Sequence, residues 1–154
     1  MTEITDSPRS YVYLDHAATS PLRPEARDAM GKYGDVMYAN PSGSHRFARE
    51  ARQVIDEARD VVAEVIGCRP GEVIFTSGGT EGDNAAILGA TRRTGGTAVC
   101  GATEHHAVLH CVEHINGTVV PVTPAGSVDP DVMRAVLTDL DNVAVVSVMA
   151  VNNE

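Results

Sequence analysis

Tryptophan is missing from this 154-residue sequence, and four tyrosines and two phenylalanines are its only large rings. Any core must therefore be aliphatic, drawn from Val, Ile, Leu and Ala, and the length allows one sizeable core. Lysine occurs once, as Lys32, and acids outnumber bases 21 to 12, giving a formal net charge of −9. That balance argues against nucleic acid or an anionic membrane as the main partner, because both are held by basic surfaces. The three cysteines, Cys68, Cys100 and Cys111, are odd in number and have no paired spacing. A disulfide framework needs an even, close set, and a zinc site usually shows two close pairs. Reduced thiols fit best. The start of the chain has neither a basic n-region nor an apolar stretch, and no segment approaches the ~20 continuous apolar residues of a membrane span. A cytoplasmic location is expected.

What is present is a regular succession of elements. Tyr11–Leu14 reads as a short strand, and Pro24 suits the first turn of a helix to about Lys32. The Asn40–Ser44 stretch has turn chemistry. From His45 to Gly67 the residues Phe47, Ala51, Val54, Ile55, Ala58, Val61, Val62, Val65 and Ile66 recur at three- and four-residue spacing, which predicts a long amphipathic helix. Gly67 fits the position just past its end. Beyond Glu72 strands and helices alternate: strands at 73–76, 97–100, 118–122 and 143–150, and helices at 81–93, 106–115 and 130–140, the last capped by Asp129. The apolar run Val143–Ala150 reads as a central strand covered on both faces. The fold class expected is α/β, a three-layer α/β/α sandwich with a mostly parallel sheet.

In open sheets of this kind, ligands bind beyond the carboxyl ends of the strands. After the first strand of the repeat comes Ser77-Gly78-Gly79-Thr80-Glu81, opening a helix. Two glycines allow close backbone approach, and a helix start offers free N–H groups and the positive dipole end. The segment reads equally as a phosphate cradle or as an ordinary strand–helix turn capped by Thr80; it is neither a Walker loop nor a dinucleotide fingerprint. After the next strand comes His105, suited to stack on a flat cofactor or to move a proton, though also readable as a solvated helix-start residue. His106, His110 and His114 follow at four-residue spacing and read as a solvated face, with no third element to complete a metal site. After the last strand comes Asn153, an amide able to bond a ligand oxygen. Thr80, His105 and Asn153 thus converge on one crevice.

At these residues the sequence resembles the class V aminotransferases among fold-type I pyridoxal 5′-phosphate (PLP) enzymes, and within them the cysteine desulfurases. The matching stretches are Tyr13–Thr19, Asn40–Ser42 with His45, Phe75–Glu81 with Asp83 and Asn84, Thr103–Leu109, and Val148–Glu154, in the family's order over nearly the whole chain. Gly82 and Ser20 depart from the usual residues. The resemblance implies that Gly79 and Thr80 bind the PLP phosphate, that His105 stacks on the ring and assists proton transfer as a catalytic residue, and that Asn153 lies near the phenolic oxygen. No metal is implied. Asp15–Thr19 and Asn40–His45 would border the substrate pocket. The fold implied is the PLP-transferase large domain, here incomplete, with residues 1–20 associated with a small domain and 21–154 in the large one.

The resemblance further implies conversion of L-cysteine to L-alanine, sulfur passing through an enzyme persulfide to acceptor proteins in iron–sulfur cluster assembly, and a homodimer when complete. The Schiff-base lysine and persulfide cysteine of the family come later than any residue here; Lys32, Cys68, Cys100 and Cys111 match neither. The chain alone is therefore expected to be inactive and, as a free monomer, poorly folded. Two other readings stand beside this one. The first is a non-catalytic short module that binds PLP or phosphate or completes another chain's fold. The second is a selenocysteine lyase or another class V member.

Overall fold

The computed structural model describes residues 12–34 and 36–152. The chain divides into two compact units at the Val73–Ile74 junction, each considered by itself.

The first unit is helical. Helix α1 spans Pro24–Gly34, opening on proline as expected and running two residues past Lys32. Helix α2 spans Arg46–Ile66. His45 caps its start, Nδ1 accepting the Ala48 N–H at 3.2 Å, and Gly67 closes it at φ 73°, a conformation that favours glycine. The sequence marks both ends correctly because both are set by local chemistry. Ala48, Ala51 and Ala63 are buried, but Val61, Val65 and Ile66 of the expected apolar face are 60, 80 and 64 % exposed. Arg59, paired with Asp56 at 2.6 Å, donates from Nε to the Val73 carbonyl at 3.1 Å, fastening the chain that follows a 3-10 turn at Pro70–Glu72.

The second unit carries the sheet. Helix α3 (Gly79–Thr94), strand β1 (Thr97–Gly101), helix α4 (His106–His114), strand β2 (Thr118–Val120), helix α5 (Pro130–Thr138) and strand β3 (Val143–Ser147) follow in order. The strands are all parallel in the order β2-β1-β3, with Cys100 opposite Val119 and Ser147. Successive β1 side chains point to opposite faces. Ala98 and Cys100 pack with Ile87 of α3 and Val108, Cys111 and Val112 of α4. Val99 packs with Val120 of β2 and Met133 of α5 on the other face. Helices on both faces of a parallel sheet make the expected three-layer α/β/α arrangement, present here as an open, partial domain.

Four expectations are corrected. Residues 73–76 form no strand among the described residues, and Ile74 and Phe75 are 82 and 50 % exposed. β-propensity supplies only a preference; a strand exists when a neighbour takes its hydrogen bonds. For the same reason Val12–Leu14 is not a strand; Tyr11 lies outside the described residues. The 143–150 run forms a strand only to Ser147. Among the described residues β1 is the centre strand and β3 pairs on one side only, its residues half-buried or exposed. Val122, expected in β2, instead bridges Val128 across a turn with Gly126 at φ 79°.

Candidate functional site

The start of α3 is built to leave donors free. Gly78, extended at φ 168°, precedes the helix and makes no side-chain cap. Thr80 therefore sits inside the first turn and is not the cap that the alternative reading required. Glu81 folds back onto Ser77, whose side-chain hydroxyl first and backbone N–H second, the latter at 2.6 Å, hold its carboxyl below the usual carboxylate range. Among the described residues, the backbone N–H groups of Gly79, Thr80 and Glu81 have no protein acceptor, and the helical ladder begins with Gly82 bonding Gly78 at 3.1 Å. A Cβ built at Gly78 or at Gly79 would meet nothing within 4 Å. Unpaired N–H groups at the positive end of a sixteen-residue helix, beside open space and the exposed Thr80 hydroxyl, suit a phosphate group.

His105 caps α4. Its Nδ1 accepts the Ala107 N–H at 3.1 Å, so the neutral ring carries its proton on Nε2. With the cap intact the imidazole offers a flat face and an Nε2–H donor; taking up a proton at Nδ1 would cost the cap. The loop before it is pinned from several sides. Glu104, only 8 % exposed, accepts from the Ser147 hydroxyl at 3.0 Å at the end of β3. Thr103 donates to the Gly126 carbonyl at 3.1 Å and accepts the Asn152 side-chain amide at 2.7 Å.

Thr80 and His105 line one cleft of about 630 Å³ between α3 and α4, together with Asn84, Leu88, His110 and Cys111. That volume is in the range of small-molecule and cofactor sites. Gly79 is next in sequence to Thr80 but is not among the cleft's lining residues. Asn153 lies outside the described residues; its neighbour Asn152 reaches the His105 loop through Thr103. A second cavity of about 320 Å³ lies at the carboxyl ends of β1 and β3 and is lined in part by Thr103, Glu104, Ser127 and Asn152. His106 and His110 stack at 5.0 Å, and among the described residues no three His, Cys, Asp or Glu side chains group as metal ligands. Burial, with the charges of Glu104 and Glu113, pushes the Cys100 thiol up to about 11; burial also raises Cys111. Cys100 is a protonated, inert thiol at neutral pH.

The class-V aminotransferase family model matches residues 12–154. The chain belongs to that family. It is 43 % identical over 151 residues to a cysteine desulfurase IscS of Dictyoglomus turgidum, covering 93 % of this chain and 38 % of the relative. It is 44 % identical over 154 residues to an IscS-like cysteine desulfurase of Mycobacterium tuberculosis, covering 92 % and 39 %. Among solved structures, a NifS-like protein from Rickettsia africae superposes with TM-score 0.80 at 28 % identity, covering 93 % of this chain and 40 % of that one. DndA from Streptomyces lividans gives TM-score 0.68 at 33 % identity, covering 93 % and 42 %. The chain thus spans about two fifths of the length of these class-V relatives. PLP dependence is general in the family, and no helix among the described residues is long and apolar enough to cross a membrane.

Thr80 and His105, singled out in the sequence because both follow strand-like runs, line the same cleft. The sequence places Asn84 within a matching stretch without a role and gives no sign of the bonds made by Glu104 and Asn152. The one local signal for Asn84 is its place one helical turn after Thr80.

Proposed function

We propose that this chain forms the phosphate- and ring-holding part of a PLP-dependent cysteine desulfurase. The observation that carries the reading is that Thr80, at a helix start with unpaired N–H groups, and His105 line a single cleft. Gly79 and Thr80 would hold the phosphate, His105 would stack on the pyridine ring with Nε2–H as donor, and Asn153 would reach the phenolic oxygen. PLP supplies an electron sink for the amino-acid substrate. The protein's own contribution is to anchor, orient and limit water. L-Cysteine as substrate, sulfur-acceptor proteins as partners, a homodimer, a role in iron–sulfur assembly and a cytoplasmic location go with this reading, supported by the names of the relatives. Residues 21–154 would belong to the large domain, and 1–20 would associate with a small domain.

The rest of the active site is proposed to come from polypeptide outside these residues. Among the described residues no strand pairs with the outer side of β3, and Val61, Val65, Ile66 and Ile74 are exposed. Lys32 lies exposed on α1 and on no strand end. Borohydride reduction of the PLP-loaded, full-length protein, followed by peptide mapping, tests this. The pyridoxyl group is expected on a lysine outside residues 1–154. An adduct on Lys32, or none at all, would overturn the reading.

A further inference from the structure

One side chain in the cleft has no part in the reading above, yet it bonds to both helices that form it. Asn84 lies one turn after Thr80 on α3, and its amide nitrogen donates twice. One bond goes to the Thr80 carbonyl at 2.8 Å, and the other crosses to the Ala107 carbonyl of α4 at 3.2 Å. Ala107 is also the residue whose N–H is held by His105 Nδ1 at 3.1 Å. A continuous hydrogen-bonded path therefore runs from Thr80 through Asn84 and Ala107 to His105. α3 and α4 otherwise meet through apolar packing around Ile87, Val108 and Cys111, which resists separation but tolerates sliding. Directional bonds fix register where packing does not.

We infer that Asn84 is a positioning residue, setting the distance between the phosphate-binding start of α3 and the His105 ring. The inference rests on the cofactor reading proposed above. A ligand anchored at both ends needs that spacing, while a ligand lacking the phosphate does not. Aspartate has the same shape as asparagine but would turn a charged oxygen toward two carbonyl oxygens and donate nothing. Alanine removes both bonds without adding charge.

The test is equilibrium dialysis of the full-length apoprotein against PLP and against pyridoxal, which has the same ring and aldehyde but no phosphate. N84D is expected to raise the Kd for PLP about tenfold or more and to leave that for pyridoxal nearly unchanged. The visible circular dichroism of the bound cofactor should change with it, since that band reports the ring's surroundings. Should N84D not fold, N84A is scored in the same way. A drop in melting temperature with the PLP-to-pyridoxal ratio and the dichroic band both unchanged would overturn the inference and leave Asn84 a merely structural residue. A parent protein that binds PLP no better than pyridoxal would overturn the cofactor reading, and this inference with it.

Discussion

Replacing His105 by asparagine is expected to lower turnover of the PLP-loaded, full-length protein by about 10²–10³-fold while sparing the fold. The structure shows one function of His105, and the proposed cofactor reading gives it a second that can be separated from the first. Its Nδ1 caps α4 by accepting the Ala107 N–H, and its remaining face and Nε2–H are directed to neither backbone nor any side-chain hydrogen bond among the described residues. Asparagine is a good helix cap, so H105N keeps the first function and loses the ring. H105A loses both and should add a stability cost of about 1 kcal/mol. Steady-state turnover of L-cysteine and a thermal melt on the two variants separate the effects. Near-parental activity in H105N would remove His105 from the catalytic machinery and leave it a cap.

The largest expected effect on stability is at Gly117, which immediately precedes β2. A Cβ there would lie 2.5 Å from the Ala98 carbonyl oxygen and 2.7 Å from Val112 Cγ1. Gly117 also donates to the Val112 carbonyl at 2.8 Å, so the backbone cannot withdraw without breaking the α4–β2 link. Both contacts belong to the core: Ala98 is 1 % exposed and Val112 is 1 % exposed. G117A is expected to cost about 3 kcal/mol or more, because the obstruction is backbone and not a movable side-chain tip. Gly89, in the middle of α3, has nothing within 4 Å of its Cβ position. G89A is the control and should be neutral or stabilising by roughly 0.5–1 kcal/mol. Denaturant midpoints on the two variants decide the matter, and equal values would show that the Gly117 packing is not as described.

How far the sequence disclosed all this depended on how local each cause is. Helix α2 was legible to within a residue at each end because its apolar spacing, His45 and the left-handed Gly67 lie within the helix or beside it. β1, α4 and α5 were legible for similar reasons, with Asp129 capping Asp131 at 2.8 Å. The strand-like 73–76 misled because pairing depends on a neighbour that composition cannot supply. The apolar 143–150 run misled differently. Two covered faces were read as a central position, but the face pattern says nothing of how many strands lie beside it. That Thr80 and His105 would share one cleft was legible through the rule that ligands gather beyond strand ends. Asn84 and Glu104 act across 23 and 43 residues of sequence, and no periodicity records such bonds. The tautomer of His105 was equally hidden, since it follows from a cap seen only in three dimensions.

The central claim is that the start of α3 and the imidazole of His105 hold the two ends of one PLP molecule. A crystal structure of the full-length protein with PLP bound tests this most directly. The expected result places phosphate oxygens within hydrogen-bond distance of the Gly79 and Thr80 backbone N–H groups and the pyridine ring on the face of His105. A phosphate held elsewhere, or a ring remote from His105, would contradict it.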